Sequence, residues 1–219
     1  MIKEFKDKEK YLSALLEDFS HTVLNAIKKK GFATVLLSGG SSPLEFYERL
    51  STTILPWECI RIGLVDERFV DPTDDFSNEK SLHTHLLKNK ASKASFYGMV
   101  VSSTDILSNW EIIEKTYSMF IEADYILLGM GEDGHTASIF PNDINSDLTF
   151  ETNNLSAITN APKYPIKRIT CTPKLIKSST HVVLVLTGER KKSVYEEAQI
   201  SQLPVSKFTN HIHQIFIYL

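Results

Sequence analysis

Four apolar runs in this 219-residue chain each empty into a short cluster of glycines, hydroxyls or charged groups. Ala33-Thr-Val-Leu-Leu37 leads into Ser38-Gly-Gly-Ser-Ser-Pro43, and Ile60-Arg-Ile-Gly-Leu-Val65 leads into Asp66-Glu67-Arg68. Tyr125-Ile-Leu-Leu128 leads into Gly129-Met-Gly-Glu-Asp-Gly-His135, and His181-Val-Val-Leu-Val-Leu-Thr187 into Gly188. Short, continuous apolar runs bounded by turn residues fit strands buried on both faces. Helical patterns lie between them. Leu12, Leu15, Leu16, Phe19, Val23 and Ile27 keep helical spacing up to a stop at Gly31, and Lys28 to Lys30 complement the negative end of that helix dipole. Ser42 is placed to cap a second helix, with Pro43 at its first position and Glu45 completing a capping box. Ser77 caps a third helix over Asn78–Leu87, and Asp105–Phe120 and Glu189–Gln199 read as two more. Arg168–Thr172 and Gln214–Tyr218 are further strand candidates, while Asn142–Asn154 reads as an irregular surface excursion.

Strands alternating with helices predict an α/β fold: a mostly parallel, Rossmann-like sheet covered by helices on both faces. Ligands of such sheets bind beyond the carboxyl ends of the strands, often at helix N-termini. The four polar clusters all follow strands, so the fold class brings them to one cleft. With 42% hydrophobic residues, the chain can bury one sizeable core, and residues 1–219 read as a single α/β domain. A net charge of -3 leaves no basic footprint for nucleic acid. Cys59 and Cys171 fit free thiols in a reducing compartment better than a disulfide framework. The charged N-terminus lacks the apolar core of a signal peptide, and no apolar run approaches the roughly 20 residues that span a bilayer. A cytoplasmic protein with no membrane partner is the expectation.

The glycine-rich segment carries the most chemistry. Gly129-Met-Gly-Glu-Asp-Gly134 matches the dinucleotide pattern G-x-G-x-x-G, but the fingerprint needs a second strand ending in an acid about 20 residues on. Phe140–Phe150 contains no apolar strand, so the nicotinamide reading fails. What remains is Asp133 beside His135 in a turn whose backbone amides can hold an anion, with a side chain able to move a proton near neutral pH. The Ser38–Pro43 loop lacks the Gly-Lys-Ser/Thr of a nucleotide P-loop, and it suits either a single phosphate or carboxylate or an ordinary strand-to-helix turn. Asp66, Glu67 and Arg68 read either as site acids with an anion-pairing arginine or as a solvated turn. Arg168 and Lys191 become a phosphate clamp if the cleft converges. His83 and His85 point to different helix faces, His21 and His181 sit on apolar elements, and His211 and His213 lack companion ligands, so no metal is expected.

Gly129-Met-Gly-Glu-Asp-Gly-His-Thr-Ala-Ser-Ile-Phe-Pro141 resembles the signature of the 6-phosphogluconolactonase family. Ser38–Pro43, Val65–Arg68, Ser77-Asn78, Ala161-Pro-Lys163, Arg168-Ile-Thr170 and Leu186–Lys191 are similar to that family's other motifs, in the same order. Ser42 stands where the family usually has threonine. The resemblance implies a fold like that of glucosamine-6-phosphate and ribose-5-phosphate isomerases, and hydrolysis of 6-phospho-D-glucono-1,5-lactone to 6-phosphogluconate in the oxidative pentose phosphate pathway. It implies His135 as general base with Asp133 beside it, and Asp66, Glu67 and Arg68 lining the sugar cleft. Gly39, Gly40, Ser41, Ser42, Arg168 and Lys191 would hold the phosphate, and Gly131 would shape the turn around the substrate. The implied partner is a small phosphosugar lactone, without cofactor, nucleic acid or membrane, bound by a monomer or small homo-oligomer. Two rivals share the fold. Glucosamine-6-phosphate deaminases continue the histidine motif into Ala-Phe-Asn-Glu-Pro, supplying an acid that Ala137-Ser-Ile-Phe-Pro141 lacks. Phosphosugar sensors usually add a helix-turn-helix segment, for which this α/β pattern leaves no room.

Overall fold

The computed structural model describes residues 1–219 and contains two sheets. The larger has seven strands: β1 (Ile2–Phe5), β2 (Ala33–Leu37), β3 (Ile60–Leu64), β5 (Ser95–Tyr97), β6 (Tyr125–Gly129), β9 (Val182–Thr187) and β10 (Gln214–Tyr218). They lie in the order β1-β10-β9-β6-β2-β3-β5, and every neighbouring pair is parallel. The smaller sheet is antiparallel, with β4 (Asp66–Arg68), β8 (Lys167–Cys171) and β7 (Ser156–Asn160) in the order β4-β8-β7. Helices α1 (Lys8–Lys30), α2 (Leu44–Ser51), α3 (Asn78–His85), α4 (Ile106–Thr116), α5 (Ile144–Leu148), α6 (Pro173–Ser178) and α7 (Glu189–Glu197) connect and flank these strands. No helix is long and apolar enough to cross a membrane.

The chain's course sets where a ligand binds. From β2 it runs outward through β3 to β5, then returns to place β6 on the other side of β2. The carboxyl ends of β2 and β6 therefore diverge at a topological switch point, where open α/β sheets form their binding crevice. All five residues of β2 are buried, as are four of five in β6, which accounts for their unbroken apolar sequence.

Local chemistry fixes the first helix. The Asp7 side chain accepts from the Lys10 amide at 2.9 Å, and Gly31 closes the helix at φ +85°, donating its N–H to the Ile27 carbonyl at 2.8 Å. The buried stripe of α1 includes Leu12, Leu15, Phe19 and Val23. Phe19 meets Tyr125 of β6 edge-to-face at 5.0 Å and Phe46 of α2 at 6.0 Å.

Several elements depart from the sequence expectations. Asp66–Arg68 is a strand of the second sheet rather than a turn, and Arg168 lies in that sheet too. Strands β1, β5 and β7 were not legible, because their short, mixed sequences sit at sheet edges and bury few large side chains. Ser42 caps nothing. Helix α2 starts at Leu44 without a side-chain cap, and Ser42 instead turns its hydroxyl toward Lys191, 3.3 Å away. The 142–154 region contains the short helix α5, capped by Asp143 through the Ser146 amide at 3.0 Å. His21 is exposed rather than a core residue. Cys59 and Cys171 are both free thiols.

Phe19 is fully buried at the contact between α1 and the sheet. Phe19→Ala is expected to cost about 3–5 kcal/mol in denaturant unfolding, through lost transfer energy and the cavity left behind. A loss below about 1 kcal/mol would place the stabilising contacts of α1 elsewhere.

Candidate active site

The four central strands of the large sheet, β9-β6-β2-β3, deliver the four polar clusters to one cavity of about 570 Å³. Ser38 to Ser42 follow β2, Asp66 and Arg68 follow β3, Gly129 to His135 follow β6, and Lys191 lies in the first turn of α7 after β9. Arg168 reaches the same cavity from the small sheet. Every sequence-predicted site residue lines it except Glu67.

His135 sits in a turn that glycine makes possible. Gly131 donates to the His135 carbonyl at 2.9 Å, and a Cβ on Gly131 would collide with the imidazole ring. Gly134 takes φ +77°, reversing the chain just before the histidine. His135 Nδ1 lies 2.5 Å from Asp133 Oδ1, which also accepts the His135 backbone N–H at 3.2 Å. In the neutral ring, an acceptor at Nδ1 favours the tautomer with its proton there and the lone pair on Nε2. Nε2 makes no hydrogen bond to the protein, and about 31% of the side chain is open to solvent. Burial pushes the Asp133 carboxyl up, but the hydrogen bond and charge of His135 outweigh it and hold Asp133 below its ordinary value. The ring of Phe140 packs against the imidazole at 4.6 Å between centroids.

Strand geometry decides the roles of Asp66, Glu67 and Arg68. Successive side chains of a strand point to opposite faces. Asp66 and Arg68 therefore share the cavity face, while Glu67 points away and is buried with 1% exposure. Its expected place in the sugar cleft is corrected on that ground. Glu67 Oε1 accepts the backbone N–H groups of Arg68 at 2.7 Å and Asn78 at 2.8 Å, and Oε2 accepts Glu79 N–H at 2.8 Å and Ser77 Oγ–H at 3.0 Å. Asp66 Oδ2, on the cavity face, accepts the Ser138 hydroxyl at 2.5 Å.

The cavity is rich in cations without counter-ions. Arg68, Lys163, Arg168 and Lys191 all line it, and none forms an ion pair with a protein carboxylate. Arg68 and Arg168 face each other directly in the β4–β8 register. Backbone carbonyls hold each from behind: Phe76 accepts from Arg68 at 2.5 Å and Pro165 from Arg168 at 3.0 Å. Arg68 Nε is buried with no partner. Burial, then the neighbouring Arg68 charge, lowers the Arg168 guanidinium; burial likewise lowers the Lys191 ammonium. Cations desolvated and crowded in this way favour an incoming anion. The Ser38–Ser42 loop adds glycine backbone to that side. A Cβ on Gly39 would collide with Asn78, so glycine alone permits this approach, and Gly40 takes φ +86°.

Sequence reasoning missed Asn78, Lys163, Ser138 and Phe140 as named site residues, although each lay inside a motif quoted from the sequence. Ser138 had a usable signal in its position three residues after the histidine. Asn78 and Lys163 had none, because an N-terminal helix residue and a loop lysine are most often solvated.

Comparison with known proteins agrees with this geometry. A family model described as glucosamine-6-phosphate isomerases/6-phosphogluconolactonase matches residues 6–217. A 6-phosphogluconolactonase from Helicobacter pylori is 34% identical over 203 residues, covering 93% of this chain and 88% of that protein. One from Neisseria meningitidis is 31% identical over 216 residues, covering 95% and 93%. A crystal structure of a 6-phosphogluconolactonase from Shewanella baltica superposes with a TM-score of 0.92 at 31% identity, covering 100% of this chain and 96% of that one. The chain belongs to the glucosamine-6-phosphate isomerase/6-phosphogluconolactonase family.

Proposed function

We propose that this chain is a cytoplasmic 6-phosphogluconolactonase that hydrolyses 6-phospho-D-glucono-1,5-lactone to 6-phospho-D-gluconate. The observation that carries the mechanism is the His135–Asp133 pair at 2.5 Å, in a cavity whose cations lack counter-ions. With Nδ1–H held by Asp133, His135 Nε2 accepts a proton from a water molecule as its oxygen attacks C1 of the lactone. The carbonyl oxygen becomes an oxyanion, facing Arg68. Collapse of that intermediate breaks the bond from C1 to the ring oxygen. The imidazolium, stabilised by the Asp133 carboxylate, returns its proton to the departing alkoxide, and the product carries a new carboxylate. Arg168, Lys191 and the Gly39–Ser42 loop hold the phosphate and thereby orient C1 over His135. Gly131 keeps the turn clear for the ring, and Asp66, held by Ser138 at Oδ2, presents Oδ1 as an acceptor to the sugar hydroxyls.

Aldose–ketose isomerisation with ammonia release is less well served by this cavity. Asp66 is tied to Ser138, and the ring of Phe140 packs beside His135 with no further acid on that turn.

His135→Ala is expected to lower kcat by about 10²–10⁴-fold, the usual worth of a positioned acid–base, while leaving KM nearly unchanged. A coupled assay that generates fresh lactone measures both, and near-normal turnover would sink the mechanism. Asp133→Asn, which keeps the shape but removes the charge and the tautomer lock, should lower kcat by about 10²-fold or more. An unaltered kcat there would mean that the pair is only structural. Arg168→Ala and Lys191→Ala should each raise KM about tenfold or more with a smaller change in kcat, a loss of uniform binding. Unchanged KM in both variants would refute the phosphate clamp.

A further inference from the structure

The acid excluded from the cavity has the most elaborate hydrogen bonding of any carboxylate near it. Both Glu67 oxygens are used, each accepting two donors, and the four donors come from three places: Arg68 on its own strand, Ser77 in the loop before α3, and Asn78 and Glu79 in the first turn of α3. Two of those donors belong to residues that line the cavity, Arg68 and Asn78. Asn78 in turn donates its side-chain amide to the Asp66 carbonyl at 2.8 Å and occupies the space against Gly39. Arg68 is anchored a second time through the Phe76 carbonyl, one residue before Ser77. A single buried carboxylate thus ties the cation on β4, the loop leading to α3 and the phosphate-side glycine loop into one body.

We propose that Glu67 is the positioning residue of this site: its carboxylate sets Arg68 and Asn78 against the ligand without touching the ligand itself. The proposal rests on the lactonase reading for its assay, but the geometry behind it does not.

A carboxylate surrounded only by donors has a specific vulnerability. When ionised it can satisfy all four; when protonated, one of its oxygens carries a hydrogen and a donor must be displaced. Burial pushes Glu67 up to about 7, against the pull of the three backbone N–H donors. The charged and titratable groups around it are Glu79 on α3 and Tyr117 beyond α4, with Asp66 and Arg68 on its own strand and Arg168 on β8 projecting from the opposite, cavity face. The clamp is consequently complete on the alkaline side of neutrality and loosened on the acid side. Stability runs the other way. A carboxyl raised in the folded chain binds its proton more tightly there than in the unfolded chain, so its contribution falls as pH rises from about 4.5 to about 7.

The test compares wild type with Glu67→Gln in the coupled lactone assay, with 6-phosphogluconate binding followed by calorimetry. Wild-type turnover checks the lactonase reading first, and only the difference between the proteins bears on Glu67. At pH 8 the variant should show KM and the 6-phosphogluconate Kd raised about tenfold, and kcat lowered by less than in His135→Ala, as expected when the placing of Arg68 and Asn78 is lost but the acid–base pair is intact. Between pH 8 and pH 6 wild-type KM should climb toward that of the variant, because its own clamp protonates; titration of the substrate phosphate affects both proteins equally and cancels. The difference in thermal midpoint, wild type minus variant, should shrink as pH rises from 5 to 8. A folded variant with KM within about twofold of wild type at pH 8, or with a pH profile parallel to it, overturns the proposal. Should Glu67→Gln fail to fold, Ser77→Ala removes one donor of the four. It should raise KM about threefold and move the KM climb to higher pH, since a carboxylate with fewer donors protonates more readily. Unchanged KM and an unchanged midpoint in Ser77→Ala would equally overturn it.

Discussion

Ser138 is the point at which the two sheets become one site. Its hydroxyl donates to Asp66 on β4 at 2.5 Å, its N–H to the Thr170 hydroxyl on β8 at 3.1 Å, and its carbonyl accepts the Thr159 hydroxyl of β7 at 2.6 Å. Each strand of the small sheet therefore grips one polar atom of a residue in the loop that follows β6. Asp66, Thr170 and Thr159 share the cavity face by the alternation of their strands and the β4-β8-β7 register. The preceding residue, Ala137, takes φ +51°, a left-handed backbone that costs about 1 kcal/mol or more in a residue with a side chain. Three buried hydrogen bonds at Ser138 hold that conformation in place, and the same turn places His135 and Phe140 on either side. The small sheet thus adds three anchors to a histidine loop that Thr136 also ties to the Gly129 carbonyl at 2.8 Å.

The main sheet and the convergence of its loops were legible because the physics is strong and periodic. Fully buried parallel strands have to be apolar throughout, so β2, β6 and β9 announce themselves, and whatever polar chemistry follows them lies at the sheet's carboxyl edge. Of the small sheet only β8 was legible, as the strand candidate Arg168–Thr172, and β4 and β7 were not. β4 is three residues long and polar throughout, and β7 is a five-residue run of mostly small or polar residues, so neither carries the alternation that Arg168-Ile-Thr-Cys171 shows in β8. That gap produced the one misplaced site residue. Read as a turn, Asp66-Glu67-Arg68 offers three groups to the cleft; read as a strand, it offers the first and third. Ser42 failed in the same way, since a hydroxyl before a proline-initiated helix reads as a cap unless a lysine from another element is known to lie beside it.

The arrangement of charge explains why such a site needs a ligand to be electrostatically complete. Like charges directly opposite each other in an antiparallel pair destabilise it, and Arg68 faces Arg168 with no carboxylate between them. Local carboxylates are otherwise engaged: Asp66 by Ser138, Asp133 by His135, and Glu132 by Arg190 at 2.7 Å. The protein has thus placed its acids where they orient other groups and left its cations unpaired. A dianionic phosphate held as proposed would relieve the repulsion and satisfy the unpartnered Arg68 Nε–H side of the site at once. On the proposed clamp, binding energy would be concentrated on the non-reacting end of the substrate, where it can serve orientation.

That division of labour also limits what the histidine must do. A lactone is an activated ester whose ring oxygen departs as an alkoxide needing one proton, and the attacking water must lose one. A single imidazole performs both transfers if it faces attacking and leaving oxygens in turn and is not itself drawn into an ion pair at Nε2. Asp133 occupies Nδ1, and Phe140 packs an apolar face against the ring, so the nitrogen left for the proposed proton transfers is Nε2. An additional acid on this turn would compete for that nitrogen and hold the imidazole cationic before water could be deprotonated. Phenylalanine at position 140 and serine at 138 therefore act together: one packs an apolar ring against the imidazole, and the other holds the Asp66 carboxylate in a hydrogen bond of its own.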